Sequence, residues 1–179
     1  MAAIFVAGGE SQQLRGSQIA QLRELGLLLA PRDFLLRIGP TKGVVIQAFC
    51  EGLLSQGTLL AKVLVELPQA VKPEDLDPGL RQIAAMILQT NKDHDHRNTD
   101  SIGDSEIVVG LPGGYKTFFE FVKATDKGKP TVILDGPGEA LKMVRGDPHI
   151  ADKVTIVKTP AEVLDFVLGT IRKLAAGVS

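Results

Sequence analysis

Short apolar runs alternate along this chain with segments in which apolar residues recur every three or four positions. Runs of this length are typical of strands buried on both faces, and the longer periodic segments are typical of helices packed against them. The predicted strands are Ala2–Ala7, Asp33–Ile38, Leu59–Leu67, Glu106–Leu111, Pro130–Leu134 and Lys153–Val157. The predicted helices are Ser17–Ala30, Val44–Ser55, Gly79–Thr90, Gly114–Lys127, Gly138–Val144 and Thr159–Ala176.

This alternation predicts one α/β domain of the Rossmann-like kind over residues 1–179, with a parallel sheet of about six or seven strands flanked by helices. The last helix has a clear start, because Thr159 and Glu162 form a capping box with Pro160 at the first helical position. The polar stretch Asn91–Asp100 is expected to be a loop.

Composition narrows the class of partner. The 179 residues include 20 basic and 21 acidic side chains, a formal net charge of −1, with no stripe rich in Lys or Arg. This balance argues against a nucleic-acid or membrane-surface partner, and no run approaches the roughly 18 apolar residues of a membrane helix. The single cysteine, Cys50, lies in an apolar helical pattern and suggests a core thiol in a reducing compartment. Without a signal-peptide pattern, the expected location is the cytoplasm.

Glycines follow three of the predicted strands, at the edge where ligands bind in sheets of this kind. They are Gly8 and Gly9, Gly39 and Gly43, and Gly113 and Gly114. Each pair is compatible with a tight turn that needs positive φ angles. Their coincidence at one edge instead favours a site where bare amides and helix N-termini bind an anion.

A longer motif surrounds the last pair. Arg97 lies 15 residues before Pro112, the first residue of the segment Pro112-Gly-Gly-Tyr-Lys-Thr-Phe-Phe-Glu120. The segment resembles the P-G-G-x-G-T-x-x-E signature of the LONELY GUY family, which is related to molybdenum-cofactor carrier proteins. The resemblance extends over most of the chain and includes Gly39 and Gly43.

The resemblance implies a phosphorylated nucleotide as ligand and a phosphoribohydrolase activity that releases free base and ribose 5-phosphate. By position, Arg97 would polarise the ligand and Glu120 would stabilise positive charge on the sugar. Gly113, Gly114 and Thr117 would contact the phosphate, with the earlier glycines Gly8, Gly9, Gly39 and Gly43 beside them. No metal and no cofactor are implied, and no lysine is marked as a pyridoxal-phosphate anchor.

Several positions depart from the hydrolase pattern. Lys116 replaces a glycine of the signature, Phe119 stands where many hydrolases have an acid, and Asn98 follows the arginine as in the carrier-like branch. Lys116 either points inward to a phosphate or lies in solvent. Three functions therefore remain open: a nucleotide hydrolase, a non-catalytic carrier of a nucleotide or pterin, and a sensing domain governed by a bound nucleotide.

Two further segments carry possible chemistry. The run from Asp93 to His96 offers imidazole and carboxylate ligands, but successive residues rarely converge on one ion, so a polar loop is favoured over a metal site. The apolar residues Phe118, Phe119, Phe121 and Val122 cover more of their helix than one core-facing stripe. We therefore expect this helix also to contact another subunit in a homodimer or larger homo-oligomer, with Tyr115 shielding the pocket or the contact.

Overall fold

Seven strands pair side by side in one sheet, in a computed structural model that describes residues 1–9, 14–55, 57 and 59–177. In chain order the strands are β1 (Ala2–Ala7), β2 (Phe34–Ile38), β3 (Lys62–Leu67), β4 (Ala84–Gln89), β5 (Ile107–Gly110), β6 (Thr131–Leu134) and β7 (Val154–Val157). The α-helices of the described residues are α1 (Gly16–Leu29), α2 (Val44–Ser55), α3 (Pro78–Ile83), α4 (His94–Gly103), α5 (Tyr115–Asp126), α6 (Glu139–Gly146), α7 (Pro148–Ala151) and α8 (Pro160–Ala175).

All the strand pairs are parallel, and the spatial order is β4-β3-β2-β1-β5-β6-β7. Ile4 of β1 pairs with Leu36 on one side and with Ile107 on the other. The chain therefore builds the sheet outward in both directions from β1, and the connections part between β1 and β5. A parallel sheet of this order opens a crevice where the connections part, beyond the carboxyl ends of the strands. The predicted α/β fold is confirmed.

Side-chain alternation along the strands gives the sheet two apolar layers. Ile4 and Val6 belong to one core with α1, α2 and α8, whereas Phe5 and Ala7 belong to a second core with α4 to α7. In the first layer, α1 and α2 approach closely because both contribute a glycine. A Cβ atom at Gly26 would lie 2.2 Å from the Phe49 carbonyl oxygen, and one at Gly52 would lie 1.9 Å from the Arg23 carbonyl oxygen.

The predictions from the sequence were wrong for two segments. The predicted helix Gly79–Thr90 is the short helix α3 followed by the strand β4, which pairs with β3 through Val65 and Ile87. The apolar run that begins at Ala84 fits either pattern, and pairing with β3 decides for the strand. The expected loop Asn91–Asp100 largely forms α4, because the Asp93 side chain accepts a hydrogen bond from the His96 amide and caps the helix.

The other predicted elements are confirmed to within a few residues at their ends, and α2 has the predicted bounds. The Thr159 side chain accepts a hydrogen bond from the Glu162 amide, as the capping box requires. Across the described residues, no helix combines the length and the apolar character needed to cross a membrane.

Candidate functional site

A cleft of about 620 Å³ opens beyond the carboxyl ends of β1, β2 and β5. Its lining consists of Val6 of β1, the loops after these strands, the N-terminal half of α4, and α5 from its N-cap to Lys123. Eight of the residues predicted for the site line this cleft: Gly8, Gly9, Gly39, Arg97, Gly114, Lys116, Thr117 and Glu120.

The remaining two predicted residues lie outside the lining. Gly113 is buried, its carbonyl oxygen accepts a hydrogen bond from the Ala140 amide, and a Cβ atom at Gly138 would lie 2.4 Å from that oxygen. Gly43 has φ +102° and directly precedes α2. Its positive φ angle is one that side chains larger than hydrogen disfavour, so Gly43 directs the chain into the helix.

One end of the cleft is suited to an anion. Helix α5 begins there at Tyr115, and its N-cap residue Gly114 has no side chain that could cap the first amides. Lys116 and Lys42 line the same cleft, and both are exposed. Uncapped amides at a helix N-terminus attract negative charge, and nearby ammonium groups add to that attraction.

The Thr117 side chain is wedged between the loops after β1 and β5. Its hydroxyl oxygen would lie 3.1 Å from a Cβ atom at Gly9 and 2.2 Å from one at Gly113. Thr117 is 2% exposed although it lines the cleft. Glycine at both neighbours therefore allows the two loops to close around this hydroxyl.

The same cleft contains a partly buried polar group that we call the α4–α5 cluster: Arg97, Asn98 and Glu120. Asn98 Nδ2 donates a hydrogen bond to Glu120 Oε1 at 3.0 Å. Four buried atoms of the cluster have no hydrogen-bond partner: Arg97 Nε and Nη1, Asn98 Oδ1 and Glu120 Oε2. Buried polar atoms are paired in most proteins, so these two donors and two acceptors are available to a polar ligand in the cleft.

Burial changes the protonation of this cluster. It raises the pKa of Glu120 from 4.5 to about 7, although the charges of Arg97 and Lys123 and the Asn98 hydrogen bond oppose the change. Burial also lowers the pKa of the Arg97 guanidinium, against the attraction of Glu120 and Glu66. A carboxyl group that titrates near neutral pH can both give and take a proton, as general acid–base chemistry requires.

The two histidines of the Asp93–His96 segment lie in different environments. His94 lines the cleft, and its pKa is lowered by burial and then by the nearby charges of Arg97 and Lys116. His96 lies in solvent, where its Nδ1 contacts Asp93 Oδ2 at 2.9 Å. Over the described ranges, no group of three or more His, Cys, Asp or Glu side chains is arranged to hold a metal ion.

Sequence reasoning did not assign four charged or titratable residues of the lining to the site. These are Lys42, His94, Asp95 and Lys123, and the last two pair with each other across α4 and α5. Lys42 could have been found from its position inside the Gly39–Gly43 loop. The position of His94 follows from the helix cap at Asp93, because His94 is the first residue of α4.

Three solved structures illustrate which proteins share this fold. The molybdenum cofactor binding protein of Rippkaea orientalis superposes with a TM-score of 0.74 at 19% identity, over 95% of this chain and 97% of that one. The Moco carrier protein of Chlamydomonas reinhardtii gives 0.73 at 21% identity, over 96% and 98%. DNA processing protein A of Helicobacter pylori, a single-stranded DNA binder, gives 0.68 at 14% identity, over 94% and 80%.

At these identities the solved structures establish the shared fold. No curated protein matches the chain. The model of the SLOG cluster4 family matches residues 1–164, which include every residue that lines the cleft. The chain belongs to the SLOG cluster4 family, and its predicted kinship with LONELY GUY-like and molybdenum-cofactor carrier-like proteins is confirmed at the level of fold.

Proposed function

We propose that this protein binds a phosphorylated nucleotide or pterin-type ligand in the cleft. The observation that carries the proposal is the presence of two unlike sets of polar groups in one cavity. One is the uncapped start of α5 with Lys116, and the other is the α4–α5 cluster with its four unpaired polar atoms. A phosphorylated ligand that also carries several donors and acceptors satisfies both.

The neighbours support binding of this kind. The proteins of Rippkaea orientalis and Chlamydomonas reinhardtii are named for binding or carrying the molybdenum cofactor. The likeness to DNA processing protein A does not extend the proposal to single-stranded DNA, because a net charge of −1 gives no electrostatic footprint for a polyanion.

Direct titration tests this proposal. AMP, GMP and a pterin phosphate are titrated into the purified protein by calorimetry, and at least one is expected to bind. Lys116→Ala should weaken binding about tenfold, because a charge-assisted contact to the phosphate is lost. Lys173→Ala, which removes an exposed lysine of α8, is the matched control and should leave affinity unchanged. If none of the three ligands binds, the proposal is wrong.

One observation favours a second function, cleavage of the N-glycosidic bond of a nucleoside 5′-monophosphate. Glu120 lines the cleft, its pKa is raised to about 7 by burial, and Asn98 fixes its orientation. Such a carboxyl group could protonate a leaving base or, once ionised, stabilise positive charge on the sugar. Arg97 would hold the ligand beside it.

Product analysis decides between binding and hydrolysis. The protein is incubated with AMP, CMP, GMP and IMP, and release of ribose 5-phosphate is measured. Glu120→Gln should abolish release while the variant stays folded and binds the nucleotide. Binding without product in the parent protein would assign the carrier function instead.

The homo-oligomer expected from the sequence stays a prediction, and sedimentation velocity with the purified protein measures it directly.

A further inference from the structure

Two exposed aromatic side chains stand at the rim of the cleft. Tyr115 and Phe119 lie one turn apart on α5, both line the cleft, and they are 59% and 41% exposed. Their ring centroids are 4.6 Å apart with the planes at 87°. Phe118, which is buried in the core, contacts Phe119 edge to face with the centroids 5.8 Å apart. Packing against Phe118 therefore supports the pair, which exposes aromatic surface to the cleft.

We propose that this pair is the stacking site for the ring of the ligand. The cleft would then select phosphorylated compounds that carry a planar heteroaromatic ring and bind phosphorylated sugars without such a ring more weakly. This inference rests on the proposed function, whose phosphate and polar contacts it leaves unchanged.

The arrangement along α5 supports this assignment. Lys116 and Thr117, which face the phosphate end, lie between the two aromatic residues in the chain. One helical turn advances about 5.4 Å, so a phosphate at the start of α5 leaves its attached ring within reach of Tyr115 and Phe119. Every base or pterin has an aromatic face, so stacking favours the class of ligand without choosing one member.

The charges around the pair favour a ligand over a second subunit. The exposed Lys116 lines the same cleft beside Tyr115 and Phe119, whereas Lys123 pairs with Asp95. Cores of protein interfaces are depleted of charged residues, whereas aromatic rings beside cations are typical of sites that bind nucleotides and single-stranded nucleic acids. The Lys116 ammonium group thus points to an anionic ligand with a stacking ring.

The chain provides its own probe for this proposal. Tyr115 is the single tyrosine and there is no tryptophan, so tyrosine fluorescence reports on this one ring. Titration with AMP or GMP should quench the emission, after correction for absorption by the nucleotide. Ribose 5-phosphate, which carries the phosphate but no ring, should bind more weakly and leave the emission unchanged.

Two variants give the same test by affinity. Tyr115→Leu and Phe119→Leu should each weaken the binding of AMP and GMP about tenfold, because stacking on an aromatic side chain is lost. The affinity for ribose 5-phosphate should stay unchanged. Leu174→Ala, at an exposed apolar position of α8, is the control and should change neither ligand.

Each other outcome overturns the inference in a recognisable way. Equal affinity for AMP and ribose 5-phosphate without quenching would refute stacking and leave phosphate binding in place. Loss of self-association in Tyr115→Leu, with nucleotide affinity intact, would assign the pair to a subunit contact. If none of AMP, GMP, the pterin phosphate and ribose 5-phosphate binds, the proposed function is wrong and the stacking site with it.

Discussion

Two groups of polar side chains, each with an arginine and a glutamate, contact helix α4 at positions one turn apart. They differ in how many of their buried polar atoms have a hydrogen-bond partner. In the first, Glu66 Oε2 accepts a hydrogen bond from Ser101 at 2.6 Å and lies 3.5 Å from Arg37, which also contacts Asp104 at 3.1 Å. In the second, the α4–α5 cluster, one hydrogen bond is made and four buried atoms stay unpaired.

The difference separates a structural role from a binding role. Within the described residues, Arg37 Nε is the only polar side-chain atom of the first group that is buried and unpaired. The charges of this group are therefore paired, and they hold α4 to the sheet. The α4–α5 cluster carries a cost of desolvation that its own contacts do not offset, a pattern typical of sites that bind ligands. Removing a charge should therefore have opposite effects on stability in the two groups.

The largest effect is expected for Glu66→Ala. The variant leaves the largely buried Arg37 guanidinium beside a single exposed carboxylate, and breaking a buried ion pair in this way costs about 3 kcal/mol or more. Urea denaturation followed by circular dichroism measures the loss. Glu24→Ala, at an exposed position of α1, should change the free energy of unfolding by less than about 0.5 kcal/mol.

A double variant checks the cause of that loss. Replacing both partners, as Arg37→Met with Glu66→Leu, should recover most of the stability, because no uncompensated charge remains buried. A double variant as unstable as Glu66→Ala would show that packing, rather than pairing, holds α4 in place.

The next effect has the opposite sign and depends on pH. The folded protein holds the Glu120 proton up to a pKa of about 7, whereas the unfolded chain releases it near 4.5. The folded state binds more protons between these values, so the contribution of Glu120 to stability falls as pH rises from 4.5 to about 7 and is constant above. Glu120→Gln should therefore stabilise the protein at pH 8 by up to about 3 kcal/mol and hardly change it at pH 4.

The difference in the free energy of unfolding between the parent and Glu120→Gln separates the effect of the Glu120 carboxyl from that of the other carboxyl groups. Equal stability of the two proteins at pH 8 and pH 4 would mean that Glu120 pays no burial penalty, and the contrast between the two groups would be lost.

The sequence predicted which residues line the cleft better than how they are held there. Arg97, Lys116 and Glu120 were found because motif and spacing are local properties of the chain. The sequence did not predict the capped helix that carries Arg97, because α4 is polar on most of its surface and lacks apolar periodicity. Burial of Gly113 under Gly138 and pairing of Glu66 with Ser101 join residues distant in the chain, and no local pattern encodes such contacts.

The smallest effect tests whether the two groups act independently although they share α4. Ser101→Ala removes the hydrogen bond to the Glu66 carboxylate and should cost about 2 kcal/mol, since a bond to a charged group is lost. Ser105→Ala, which removes a bond from Ser105 Oγ to the Ser101 carbonyl oxygen, is the matched control and should cost about 1 kcal/mol.

Nucleotide affinity gives the sharper reading of Ser101→Ala. Ser101 Oγ also donates to the Arg97 carbonyl oxygen at 2.9 Å, and Glu66 attracts the Arg97 guanidinium. If the two groups are nevertheless energetically independent, the change in affinity is at most about twofold, because the energies of independent sites add to within a few tenths of a kcal/mol. A loss of affinity well beyond twofold, measured by calorimetry under conditions where the variant is fully folded, would show coupling through α4. The Glu66–Ser101 bond would then position Arg97 for the ligand as well as stabilise the fold.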